Sequence, residues 1–427
     1  MAARWKPIFL GSLGGGLEFY DFAIYAVFAS VLGQVFFQTE DASARLLSTF
    51  AVFAVGYLAR PIGGLLFSHY GDRFGRRFML RVTIGGMAAS TIGMALMPGY
   101  AQLGVFAPAL LVVLRVVQGV CLGGEIPGAM ALLTENMPRN RALVCGCLFF
   151  MVDFGLLLAH ATEWLIVSLM SEADVLSYGW RLAFLLGGVV AVIGFLLRQH
   201  LAESQSFEAI RDVTHKVPFV ALIRRHAAEL MYAFAVSCMI ACIITVLFIY
   251  MNDYLTTVAQ FPHGPVALGT LASVRSFIDL LPVVGWVSDR IGLKVSSVVG
   301  TLALAAVCVP VFTWLIAAPS HIMIGVVLLG GVAAVAFGAA TPVIAAVFPT
   351  DVRYSGVALA YNLGFAIVGG LTPLFATWLI QTYQLVMAPA YILMFFVGAA
   401  CLAMIAIPRR TLCSRPNQDG FPPRSEQ

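Results

Sequence analysis

Carboxylates, arginines and one histidine recur at helical spacings inside stretches that are otherwise apolar, and their types suit proton exchange and anion binding. Glu18 and Asp21 are three residues apart, so they share one helix face, along a stripe that Gly11, Gly14, Gly15 and Tyr25 extend. Two carboxylates that close and partly out of water cannot both ionise easily, which makes the pair a candidate proton site. Arg115, Gln118, Leu122 and Glu125 fall in one narrow sector at 100° per residue. A guanidinium keeps its charge at any accessible pH, so Arg115 needs an anion, either a carboxylate of the chain or one on a bound molecule. Asp153, His160 and Glu163 also share a side, where a relay through an imidazole competes with a purely structural histidine. Arg275 and Asp279 stand one turn apart and serve either as a neutralised pair or as an anion contact. Tyr250, Asn252, Asp253 and Tyr254, with Tyr361, Asn362, Thr372 and Pro373, are hydrogen-bonding or helix-bending positions suited to the wall of a cavity.

These groups need elements that hold them away from water. Of 427 residues, 60% are hydrophobic and only 11% are charged, and the mean hydropathy is +0.93. Ordinary soluble domains carry roughly 25% charged residues, so the chain is read as an all-α polytopic membrane protein. Apolar stretches near 8–36, 46–67, 79–98, 104–133, 142–168, 180–198, 228–252, 266–287, 295–317, 321–347, 355–380 and 388–407 make twelve spans. An ionisable side chain in such a span is expensive unless it faces a partner or a water-filled cavity, so the groups above mark the functional interior. The predicted organisation is a six-helix bundle over 1–198, a cytoplasmic linker over 199–226, a second six-helix bundle over 227–407 and a cytoplasmic tail over 408–427.

Two loops repeat the same skeleton. SHYGDRFGRR spans Ser68–Arg77 and GWVSDRIGLK spans Gly285–Lys294, about half the chain later, so Asp72, Arg73 and Gly75 fall in step with Asp289, Arg290 and Gly292. With the N-terminus inside, about 20 of the 25 basic residues lie in inside segments, whereas the opposite side holds only Arg45 and Arg181. Arg60, Arg115 and Arg275 remain within spans. The net charge of +4 therefore reflects topology and does not indicate nucleic-acid binding. MAARWKP leads directly into the first span and reads as an uncleaved signal anchor. The eight cysteines are scattered as small buried hydrophobes without metal-ligand or disulfide spacing. No cofactor or metal is expected. The spans carry no Gly-x-Ser-x-Gly elbow or His-Glu-x-x-His pair, so an enzyme is not expected either.

The first loop resembles the G-x-x-x-D-R-x-G-R-R loop of major facilitator superfamily transporters, with Ser68 in place of the leading glycine. LEFYDF at Leu17–Phe22, ARPIGG at Ala59–Gly64, RVVQGVCLGGE at Arg115–Glu125 and FPTDVRYSGVALAYNLGFAIVGGLTP at Phe348–Pro373 resemble the metabolite:proton symporters of that superfamily, which carry proline and betaine, 2-oxoglutarate, citrate or shikimate. The resemblance implies alternating access between two six-helix halves, with a small organic acid or zwitterion and protons as the partners in a lipid bilayer. It implies a proton-coupling set of Glu18, Asp21, Glu125, Asp153 and His160, and a substrate-binding set of Tyr25, Arg115, Gln118, Arg275, Tyr361 and Asn362. It further implies a cytoplasmic gate of Asp72, Arg73, Gly75, Arg76 and Arg77, with Asp289 and Arg290 as second-half counterparts where Leu293 and Lys294 replace the paired arginines. In this gate Asp72 faces the N-terminal end of the eleventh span near Tyr354 and Ser355. A proton on a carboxylate of Glu18, Asp21 or Glu125 would change its competition with substrate for Arg115. An exporter or antiporter, or a transporter-like sensor that binds without carrying, is the alternative.

Overall fold

A computed structural model describes residues 15–16, 19–74, 76–123, 125–201, 219–350 and 352–408; the side chains of 65, 67–81, 125, 194–201 and 219–221 fall outside that description. Glu18, Gly75, the N-terminal anchor, most of the linker and the tail beyond Pro408 therefore lie outside the described residues, as do the side chains of Asp72, Arg73, Arg76, Arg77 and Glu125.

Backbone groups in hydrocarbon must be paired within their own segment, and the chain meets that demand with helices alone among the described residues. α1 consists of Phe19–Val27 and Ala29–Phe36, bent by 66°. It is followed by α2 (Ala42–Phe74), α3 (Arg76–Leu96), α4 (Phe106–Asn136), α5 (Arg141–Leu169) and α6 (Trp180–Leu201). The second set is α7 (Ala227–Val258), α8 (His263–Ile291), α9 (Leu293–Ala317), α10 (Ile322–Ala346), α11 (Arg353–Tyr383) and α12 (Ala388–Ala406). These twelve helices follow the order of the twelve expected spans; among the described residues ten are long and apolar enough to cross a membrane, eleven with bent α1, and the described apolar part of α3 is Val82–Leu96.

Two helices depart from regular geometry where the halves meet. α7 widens into π-turns at Thr245–Tyr250 and Tyr254–Val258, and α11 does so at Phe365–Gly369. A π-turn interrupts the i→i−4 ladder and frees backbone carbonyls for other donors. The Gly369 carbonyl accepts from the Thr245 hydroxyl at 3.3 Å, and the Phe248 carbonyl is taken by a side chain of the other half.

Candidate functional site

Glycines on α2 and α4 bring two arginines to one chamber. A Cβ at Gly119 would strike the Gly56 carbonyl, and one at Gly63 would strike the Val120 carbonyl, so the two backbones run in near contact. That crossing sets Arg115 of α4 beside Gly56 and leaves Arg60 one turn further along α2. Gly155 of α5 packs likewise against the Gly16 carbonyl, which holds α5, and with it Asp153, close to α1.

Arg115 is fully buried among aromatic rings, its guanidinium carbon 4.2 Å from the centroid of Phe22, 4.4 Å from Tyr25 and 5.5 Å from Phe53. Such rings favour a cation through their negative faces. Nη1 donates to Gln118, whose own amide donates to the Asp21 carbonyl at 3.0 Å and to Thr91 at 3.1 Å. Gln118 is therefore a holder of Arg115. Tyr25 spends its hydroxyl on the Thr49 carbonyl at 3.1 Å and offers Arg115 its ring. Nε and Nη2 of Arg115 are buried and have no hydrogen-bond partner, and among the described residues it forms no ion pair. Two parallel donors left open on a guanidinium are the geometry that a carboxylate fills.

Arg60, present in the sequence only as a charge within a span, is a second buried guanidinium in the same chamber. Its carbon lies 5.4 Å from the Tyr57 ring and 5.3 Å from the Phe365 ring, and Nε and Nη1 have no partner. Tyr57 lies within electrostatic reach of Arg60, Arg115 and Asp153, and Tyr361 within reach of Arg60 and Asp153. Asp153 is buried with Oδ2 unpartnered. Tyr361 stacks on Phe365 at 4.4 Å, while Asn362 donates to the Gly123 carbonyl at 2.8 Å and so ties α11 to α4. Residues of both halves thus enclose two cations and one carboxyl group.

The two halves touch at both ends of the bundle. At the end carrying the loop motifs, Asp289 accepts from the backbone N–H groups of Ala142 and Leu143, each at 2.9 Å, on the N-terminus of α5 where the helix dipole favours an anion. Nearby, Arg353 pairs with Glu135 at 3.0 Å. At the opposite end His160 of α5 bonds the Phe248 carbonyl of α7 at 2.7 Å and meets Glu163 at 3.3 Å, and Glu163 accepts from Asn252. Asp253 is buried beside Ser30 and Glu163. Glu163 is only 5% exposed, with Asn252 of α7 against it.

Three other predicted residues stand elsewhere. Asp21 is buried, and its carboxyl group packs beside Thr91 of α3 and Gly187 of α6. Among the described residues Asp21 forms no ion pair with Arg115 and is linked to it through Gln118, which donates to the Asp21 carbonyl. Arg275 does not line the chamber: it donates to Asp279 at 2.5 Å on an exposed face of α8. Arg290 lies over the Trp286 ring at 3.6 Å on that same face, while its neighbour Asp289 alone reaches α5. The Arg353–Glu135 pair was missed because only the fold shows that α4 and α11 end side by side.

The family model described as Major Facilitator Superfamily matches residues 11–279. The chain belongs to the Major Facilitator Superfamily. Relatives within it include the proline/betaine transporter of Salmonella typhimurium, 32% identical over 436 residues that cover 99% of this chain and 86% of that protein. The glycine betaine/proline/ectoine/pipecolic acid transporter of Dickeya dadantii is 34% identical, over 91% of this chain and 80% of its own length. The fold matches that of a crystallised D-xylose-proton symporter with a TM-score of 0.73 at 19% identity, over 96% of this chain and 98% of that one. This membership makes the chain a multi-pass membrane protein, and the all-α, twelve-helix expectation holds.

Proposed function

We propose that this superfamily member is a proton-coupled symporter that carries a small zwitterionic or anionic organic solute inward across the cytoplasmic membrane by alternating access. The observation that carries the proposal is Arg115: fully buried, with two guanidinium donors, Nε and Nη2, that have no hydrogen-bond partner. A solute carboxylate satisfies those donors, and the rings of Tyr57, Tyr361 and Phe365 suit a cationic or methylated nitrogen. The names of the proline/betaine relatives support a zwitterion of that kind. Basic residues at the loop-motif end, among them Arg139, Arg141, Arg224, Arg225 and Lys294, support a cytoplasmic position for that end and for both termini.

Asp153 is assigned the proton, because it is a buried carboxyl group with an unpartnered oxygen, within electrostatic reach of the same Tyr57 and Tyr361 that Arg60 reaches. Ionised, it competes with the solute for the guanidinium groups, and protonated it releases them. A proton and a solute are then bound more favourably together than singly, which is the condition for coupling. His160 and Glu163 stand at the outer closure, where a proton enters first.

Uptake into proteoliposomes under an imposed pH gradient tests this reading. Arg115→Lys keeps the charge but loses the paired donors, and uptake falls by about a hundredfold or more. Asp153→Asn exchanges solute across the membrane but no longer accumulates it. Undiminished gradient-driven accumulation in both variants would remove the proposed site.

A further inference from the structure

α8 turns a charged pair outward at the middle of its span. Arg275 stands twelve residues after the helix start at His263, roughly 18 Å along the axis and so near the centre of a hydrocarbon core of about 30 Å. The side chains of Arg275 and Asp279 are 64% and 44% exposed. They lie on one stripe with Leu268, Val283 and Trp286, all exposed, while the opposite face of α8 is buried through Phe277 against Phe248 at 4.6 Å and Phe337 at 5.1 Å. The stripe is thus the outer face of the bundle at a depth that neither water nor lipid headgroups reach. Pairing within the helix uses Nε of Arg275, and among the described residues its Nη groups meet no acceptor.

We infer that this stripe is the interface between two copies of the chain. Copies inserted in one membrane share an orientation, so a two-fold axis along the membrane normal sets two α8 helices side by side and parallel. Each then presents a cation and an anion one turn apart to an identical surface. The Nη donors of Arg275 reach Asp279 of the second copy while Nε keeps its own, and four charges alternate in one closed network. Ala272 and Ser276, four residues apart and half-buried at the edge of the stripe, are the small pair that lets two membrane helices approach closely. A headgroup cannot reach this depth, and a partner of one charge sign would leave half of the pair unmet, so a second copy fits best.

The test is photobleaching-step counting of the full chain, fluorescently tagged and diluted into lipid bilayers, with oxidative cross-linking as an independent readout. Wild type bleaches in two steps. Arg275→Leu with Asp279→Leu, neutral in each protomer, weakens the dimer by roughly tenfold or more and bleaches in one. The exchange Arg275→Asp with Asp279→Arg restores two steps. In the otherwise native chain, Val283→Cys forms a cross-linked dimer and Leu402→Cys, exposed on α12, does not. One-step bleaching of wild type, two-step bleaching of the double leucine variant, or equal cross-linking at both cysteines overturns the inference.

Discussion

At the loop-motif end the halves meet through Asp289 on the α5 N-terminus and Glu135 on Arg353, whereas at the other end they meet through His160 on the Phe248 carbonyl and Glu163 on Asn252. The partners in the first set are backbone N–H groups and a guanidinium, none of which changes its proton count in use. In the second set one proton is part of the bond. A carbonyl can only accept, so Nε2 of His160 carries hydrogen, and the contact of Nδ1 with Glu163 then needs one more proton, on either Nδ1 or the carboxyl group. Without it two lone pairs face each other and the closure loosens. Asp253 of α7 is another titratable group described at this end, beside Glu163. The difference teaches that the outer closure takes a proton into its contact, while the inner closure joins carboxylates to donors that keep their protons.

The largest effect is expected at Asp289. Replacing it with alanine removes two bonds to one acidic group at a helix N-terminus, at a cost of about 2 kcal/mol, which lowers the closed population at that end roughly thirtyfold. Distances between spin labels at Arg139 and Ile291 measure it, and an unchanged distribution would show that other contacts hold the end shut. The Glu163→Gln variant comes next. Glutamine donates permanently to Nδ1 and still accepts from Asn252, so it mimics the protonated pair. In wild type, closure between labels at Glu40 and Gln260 weakens as pH rises, because the contact needs a proton between Nδ1 and the carboxyl group. In Glu163→Gln it stays constant. Equal pH slopes in the two proteins would assign the proton to another group.

Much of this architecture was legible beforehand, because a span of about 20 apolar residues must be a helix and a charge inside one must find a partner. That rule found Arg115, Asp153 and His160, whose burial the structure shows. It could not tell the inner faces of α8 from its outer face. Arg275 and Phe277 are two residues apart, and the sequence does not say which of them meets α10. Spacing also paired Glu18 with Asp21, but the direction of the Asp21 side chain depends on α3 and α6, which the first span cannot announce. Arg60 was visible as a charge without a role, since its chamber exists only once Phe365 and Tyr361 arrive from the second half. The contact between the α7 and α11 π-turns carries no local signal at all.

Glu135 gives the smallest effect and sharpens the comparison of the two ends. Its side chain is 20% exposed, so water screens the pair with Arg353 and neutralising it costs about 0.5–1 kcal/mol. Arg353 does not depend on that partner for its position. It also donates to the Ala345 carbonyl at 3.1 Å and to the Phe348 carbonyl at 3.1 Å, so the guanidinium stays in place after Glu135→Gln. The inner end should then open about two- to fivefold more often, as measured with the Arg139 and Ile291 labels, and the distance at the outer end should keep its pH slope. A change in that slope would mean that the two closures share one protonation event. The division of labour between permanent and proton-dependent contacts would then fail, and coupling would have to run through the chamber carboxyl group alone.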